Sequence, residues 1–175
     1  MATQEQIRKA IERASATLGA RPGAGRVTKS GTVEWLDGLS CVASEGGFSV
    51  TCDMPSAMGG DDGGPGPGHL SRAALGVCQT MSLVVAFARN GVAFSSLRVT
   101  VEVDMDVAGG LGVEGALKGY TAVRCVVDLE SDADRTVIDH AMDEAWRNSQ
   151  IGNVFSRPVP LSSELRLNRA RASEA

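Results

Sequence analysis

Four cysteines and two histidines are the residues of this chain best suited to covalent or metal chemistry: Cys41, Cys52, Cys78, Cys125, His69 and His140. The cysteines are widely spaced and none forms a CxxC pair, so they give no zinc pattern. Two histidines do not build a metal centre by themselves, and no metal or other cofactor is expected. His69 reads as a solvent-facing residue of a first helical turn. His140, with Asp143 and Glu144 close behind, reads as part of a solvated surface. The stretch "GGDDGGPGPG" has the glycine content of a phosphate-binding loop. It lacks the GxxxxGK[ST] spacing, and Asp61 and Asp62 would repel phosphate.

Thiol chemistry remains, and Cys78 has the setting most suited to it. It stands within "GPGPGHLSRAALGVCQTMSLVVAFARNG", an apolar helix behind a loop of glycine, proline and aspartate. One reading is a small core hydrophobe; the other is a guarded reactive thiol. The reactive form is the thiolate, and an ordinary thiol with a pKa of about 8.5 is mostly protonated at neutral pH. Cys78 lies two to three turns into its helix, beyond the useful reach of the helix dipole. Burial alone would silence it. A reactive Cys78 therefore needs a cation or a hydrogen-bond donor from elsewhere. Ser71 and Ser82 share roughly its helical face and offer hydroxyls. Arg72 points away. Arg26, just before the first strand, is the candidate cation.

The elements that must position these groups follow from periodicity. Residues 3–18 predict a helix with Ile7, Ile11, Ala14 and Leu18 on one stripe. "TVEWL", "LSCVA" and "FSVTC", joined by Asp-Gly and Gly-Gly turns, predict an antiparallel meander with one buried face. Cys41 and Cys52 fall on that face and read as core residues. A long irregular loop follows, expected to lie along a surface or cover a cleft. The central helix is expected over about residues 69–89, apolar around most of its circumference. Such a helix needs cover on nearly all sides, which favours a dimer. "LRVTVEVDM" and "ALKGYTAVRCVVDLE" predict two long strands, with Cys125 in the core, joined by the flexible "VAGGLGVEG". A third helix begins near a capping box of Ser131 and Asp134, its inner side carrying Val137, Ile138, Ala141, Met142 and Ala145. "NSQIGNVFSRP" breaks that pattern, "VPLSSELRL" predicts a final strand, and the tail reads as frayed. The expected organisation is an N-terminal helix and linker over 1–22, one α+β domain over 23–170, and a tail over 171–175.

Composition narrows the partners. The 175 residues carry 17 basic and 21 acidic side chains, a net charge of −4, which argues against broad affinity for nucleic acid or anionic membranes. Hydrophobic residues make up 43% but aromatics only 4%, so the core must be built from Val, Leu, Ala and Met. The N-terminus lacks the apolar run of a signal peptide. Leu75 to Ala88 reads as too short to cross a bilayer. A cytoplasmic, reducing setting is expected, which disfavours structural disulfides.

"DMPSAMGGDDGGPGP", then a helix with "AALGVCQTM", then a strand after "NGVAFSSL", resembles the OsmC/Ohr family of osmotically induced and organic hydroperoxide resistance proteins, over about Gly31 to Leu167. The resemblance implies an α+β fold of antiparallel sheets packed around a long buried central helix, in an intertwined homodimer. It places Cys78 at the peroxide-attacking cysteine. It places Ser149, in "SQIGN", where the family's peroxidases carry a resolving cysteine, and Ala57 where a subgroup has a glutamate. Arg26 is the loose match to the family's arginine. The expectation is a divergent member that reduces organic hydroperoxides through Cys78 alone, regenerated by an external thiol. The alternative is a non-catalytic small-molecule-binding or stress-associated dimer. Its cleft would be lined near Met58, Cys78 and Met81.

Overall fold

The computed structural model describes residues 2–167; the expected frayed tail lies outside them. The first element, α1 (Gln4–Gly19), opens with a capping box in which the Thr3 hydroxyl accepts from the Gln6 N–H and the Gln6 side chain accepts from the Thr3 N–H. Three strands follow, β1 (Thr32–Asp37), β2 (Ser40–Glu45) and β3 (Phe48–Cys52), paired antiparallel in the order β1-β2-β3. A 3-10 turn at Ser56–Met58 precedes the long helix α2 (Pro67–Asn90). Then come β4 (Ser96–Met105), a short capped helix α3 (Val107–Gly110) within the expected flexible connection, β5 (Tyr120–Glu130), α4 (Arg135–Asn148) and α5 (Gln150–Ser156).

The core forms where α2 meets α4 and the β4–β5 ribbon. Leu83, Ala86 and Phe87 of α2, Val92 beyond it, and Ala141 and Ala145 of α4 are buried together. Leu97, Val99, Val127 and Leu129 pack on them from alternate positions of the ribbon. The Phe87 and Phe94 rings meet with centroids 5.6 Å apart. Gly76 lets α2 approach the ribbon, since a Cβ there would stand 3.3 Å from Val101 Cγ2. Gly91, left-handed at φ 69°, ends α2, and its N–H reaches the Phe87 carbonyl.

Several expectations are corrected. The meander has no buried face within this chain: every residue of β1 is exposed, and β3 buries only Cys52. No helix makes an extensive contact with the sheet, so its alternation has little to pack against; Trp35 is 73% and Phe48 84% exposed. The α2 helix is buried along Leu75, Gln79, Leu83 and Ala86–Ala88, while Val77 and Met81 remain exposed. It is also longer than expected, and by length and composition it would suffice to cross a membrane; here it is the helix on which the core is built. Asp134, not Ser131, caps α4 by accepting from the Thr136 N–H, and Ser131 instead reaches the Ala93 carbonyl. Val137 is exposed rather than inward. Residues 159–167 form no strand, because no strand in the described chain pairs with them, and Leu161 is 98% exposed.

The glycine-rich loop is organised rather than loose. The buried Asp53 carboxylate accepts from the backbone N–H groups of Met54 (2.7 Å), Asp61 (3.0 Å) and Gly63 (3.0 Å). Gly60 is required by this wrap, since a Cβ there would fall 1.9 Å from the Met54 carbonyl oxygen.

Candidate functional site

The site is assembled where α2 passes the joint between α4 and α5. Ser149 is that joint: it ends α4, and its hydroxyl accepts from the Gly152 N–H to start α5. A side chain at 152 would collide with this cap, its Cβ lying 2.8 Å from Ser149 Oγ. The break in pattern at "SQIGN" is thus a single-residue elbow. It turns the chain back toward the middle of α2, where Cys78 Sγ lies 3.5 Å from Ser149 Oγ.

Because Ser149 Oγ already accepts from Gly152, its proton is free to be given to the sulfur. Burial works against the Cys78 thiolate. Hydrogen bonds from Ser149, the backbone N–H groups of Ile151 and Gln150, and Ser82 outweigh it, and the thiol is held below its ordinary value. The external donor that sequence reasoning required is therefore a serine and two backbone amides. The other thiols differ: burial pushes up both Cys52 and Cys125.

Cys78 opens onto a cleft of about 480 Å³ between α2, α4 and the start of α5. Met81, Ser82, Val85 and Ala86 line one wall, and Glu144, Ala145, Asn148 and Gln150 the other. Arg89 stands at its far end, its Nη1 2.9 Å from Glu144 Oε1 and its Nη2 3.0 Å from Ser15 Oγ of α1. Burial raises the Glu144 carboxyl, but Arg89 and Asn90 more than compensate and keep it below its usual range. Glu144 is accordingly a paired cleft residue and not part of a solvated surface. Sequence reasoning missed Arg89. Its spacing of eleven residues from Cys78, about three turns, was the available signal.

The residues singled out from sequence divide clearly. Cys78, Met81, Ser82 and Ser149 come together. Ser71 is turned elsewhere, to the Gly68 carbonyl (3.0 Å) and the Tyr120 hydroxyl (2.5 Å). Met58 sits on the 3-10 turn and does not line this cleft, nor does any residue of the 59–68 loop. Arg26 is exposed in the linker after α1 and is not among the groups that act on the Cys78 thiol. Gln79, beside Cys78, is fully buried, and neither Nε2 nor Oε1 has a partner among the described residues.

The model of the OsmC-like protein family matches residues 59–164, a span holding α2, both long strands, the elbow and Cys78. This chain belongs to the OsmC-like family. Solved members share its fold at low identity. An OsmC-like protein of Mycoplasma pneumoniae is 16% identical, with a TM-score of 0.64 over 74% of this chain and 88% of that one. An organic hydroperoxide resistance protein OsmC of Legionella pneumophila is 14% identical, with a TM-score of 0.53 over 74% and 91%. An OsmC-like hydroperoxide resistance protein of a Jannaschia species is 15% identical, with a TM-score of 0.51 over 80% and 93%. No curated protein matches by sequence. At these identities the solved relatives establish the fold.

Proposed function

We propose that this OsmC-like protein reduces organic hydroperoxides through Cys78 as a one-cysteine peroxidase, regenerated by an external thiol, in an intertwined cytoplasmic homodimer. The observation that carries the reading is the Cys78 sulfur at the edge of a cleft with one apolar wall, 3.5 Å from the Ser149 hydroxyl, its thiol held below the ordinary value against burial by Ser149 and the neighbouring amides of Ile151 and Gln150. The hydroperoxide resistance of the Legionella and Jannaschia relatives supports the substrate class.

In the first step the Cys78 thiolate attacks the terminal oxygen of R–O–OH. The O–O bond breaks, the sulfur becomes a sulfenic acid, and R–O⁻ leaves as the alcohol after taking a proton from solvent. A resolving thiol at 149 would then displace water to form a disulfide, but a serine hydroxyl cannot. A small external thiol attacks the sulfenic sulfur instead, releasing water. A second thiol frees Cys78 and leaves as the oxidised disulfide. The amides and Ser149 hold the thiolate before the first step and receive the negative charge again when Cys78 is the leaving group. The apolar wall of Met81, Val85 and Ala86 suits an alkyl or aryl hydroperoxide better than hydrogen peroxide.

A second reading, a non-catalytic small-molecule-binding or stress-associated dimer, is favoured by the engagement of Arg89 with Glu144, away from the sulfur. One experiment separates the two. Reduced protein is treated with cumene hydroperoxide, trapped with dimedone and mapped by mass spectrometry. A dimedone adduct at Cys78, with peroxide consumption abolished in Cys78→Ser, supports the peroxidase. Ser149→Cys should convert the adduct into a disulfide between Cys78 and the thiol introduced at position 149. Unmodified Cys78 in folded protein would refute the redox reading and leave ligand binding.

A further inference from the structure

We infer that Gln79 is a positioning residue of the Cys78 site: its side-chain carbonyl competes with the Cys78 sulfur for the Ser149 proton and so favours the neutral sulfur over the thiolate. The inference rests on Cys78 being the reactive thiol proposed above. Asp53, Gln79 and Ser149 are the buried polar residues of the described chain. Asp53 is satisfied by the amides of its own loop. Gln79 is not satisfied: it is fully buried, and neither Oε1 nor Nε2 has a partner among the described residues. An apolar residue would fill its place on the buried stripe between Leu75 and Leu83 without that penalty. The amide faces the elbow. A Cβ built at Gly152 would lie 2.8 Å from Ser149 Oγ and 3.8 Å from Gln79 Oε1, so the two oxygens border one space that this glycine leaves open.

The Ser149 hydroxyl has one proton and two lone pairs. One lone pair accepts from the Gly152 N–H whatever the state of the sulfur. When Cys78 is a thiolate, the Ser149 proton goes to the sulfur and Gln79 Oε1 is left bare. When Cys78 is protonated, its S–H donates to the second lone pair across the 3.5 Å contact. The Ser149 proton is then released, and a turn about the Gln79 side-chain torsions brings Oε1 to it. The neutral state thus satisfies the Gln79 carbonyl, and the thiolate leaves it buried and unpaired. Gln79 opposes the donors that favour the thiolate. The sulfenic acid of the proposed reaction is also neutral, and its formation returns the Ser149 proton to Gln79. The charged groups near the sulfur do not act in its place. Arg89 of α2 and Glu144 of α4 line the same cleft but pair with each other at its far end. His140 of α4 acts on Glu144 and is not among the influences on the Cys78 thiol. The α5 sequence holds no titratable side chain, and α1 and β4 line no part of the cleft.

The test follows the ionisation of Cys78, not peroxide turnover, so its failure leaves the peroxidase reading standing. Alkylation of Cys78 by iodoacetamide is mapped by mass spectrometry across a pH series in the full-length protein. Gln79→Met keeps the length of the side chain and removes the carbonyl. Its alkylation midpoint should fall by about half a pH unit to one unit, the equivalent of one hydrogen bond. In the Ser149→Ala background the same substitution should leave the midpoint unchanged, because the link between amide and sulfur is gone. Looser packing alone would speed alkylation at every pH without moving the midpoint. A second measurement uses wild-type protein grown with isotope-labelled glutamine. The Gln79 side-chain carbonyl resonance should shift in one step at the Cys78 midpoint, and the step should vanish in Cys78→Ser. This resonance decides the matter if Gln79→Met does not fold. A midpoint unchanged or raised in Gln79→Met, an equal shift with and without Ser149, or a Gln79 resonance that stays flat would overturn the inference.

Discussion

The Ser149 hydroxyl accepts the Gly152 N–H and faces the Cys78 sulfur, so one atom both starts α5 and supports the thiolate. Removing it separates the two contributions. In Ser149→Ala the largest of the influences favouring the thiolate is lost while burial remains, and the Cys78 thiol rises toward or past its ordinary value. The thiolate fraction then falls at every pH below that value and is unchanged well above it, where both proteins are fully ionised. Alkylation of Cys78 by iodoacetamide should slow about threefold to tenfold near neutral pH, the consequence of losing about 1 kcal/mol of hydrogen bonding to the charged form. The rates of variant and wild type should converge at alkaline pH, and Ser149→Thr should restore most of the difference. A pH–rate profile identical to wild type would show that the amides alone hold the sulfur. Cys78 was legible in the sequence by its helical setting, and Ser149 by the resemblance of "SQIGN" to the family segment that carries a resolving cysteine. The amides of Gln150 and Ile151 were not, because backbone donors carry no residue signature and only the elbow aims them. The pairing of Arg89 with Glu144 was hidden for a different reason: it joins residues far apart in sequence that only the packing of α2 on α4 brings together.

Local chemistry made most of the elements readable. The Asp-Gly and Gly-Gly turns of the meander and the alternation of β4 and β5 each specify a backbone period without help from distant residues. The 159–167 segment has equally clear alternation yet forms no strand, since a strand exists only where a neighbour completes its ladder. The loop between β3 and α2 was read only as irregular, because its organiser is one carboxylate whose partners are main-chain amides. The N–H of Gly63 leads in holding the Asp53 carboxyl below the usual carboxylate range; burial opposes it, and the amides of Asp61 and Met54 add to it. A folded-state value below the unfolded one means the carboxylate contributes stability that is fully present above the unfolded value. That contribution is lost as pH falls through the lower, folded value. Asp53→Asn keeps the shape but replaces an acceptor-only group with one that brings two donors among amides that also donate. The variant should unfold at lower urea concentration than wild type at neutral pH, with the gap narrowing on acidification as the wild-type carboxylate protonates. Urea titrations monitored by circular dichroism at several pH values measure it. A gap that is constant down to strongly acidic pH would mean that the charge on Asp53 does not hold the loop.

Taken as a whole, the molecule buries a core on one side of α2 and leaves a second set of apolar surfaces bare. Val33, Trp35 and Phe48 on the meander, Val77 and Met81 on α2, and Leu161 and Leu165 beyond α5 are all exposed. These are residues of three separate regions, and a stable monomer rarely leaves such extensive apolar surface in water. A sheet without a helix beneath it and a helix covered on one side are complementary deficits, and a second copy of the chain can meet both by exchange. This is the physical content of the intertwined homodimer proposed above, and it accounts for the all-round apolar character of α2 that the single chain satisfies only in part. The unpaired 159–167 segment also gains a candidate strand partner in that arrangement. Sedimentation velocity at micromolar concentration should give twice the 18.2 kDa chain mass. A Trp35→Glu, Phe48→Asp double variant should sediment as a monomer, since two carboxylates on the buried sheet face would have to be desolvated without partners. Within one copy those side chains contact mostly solvent, so the variant should keep the core around Phe87 and the Cys78–Ser149 contact, and its far-ultraviolet circular dichroism should be preserved. A wild-type chain that sediments at its own mass across this concentration range would refute the exchange, and the exposed meander would then need a different partner.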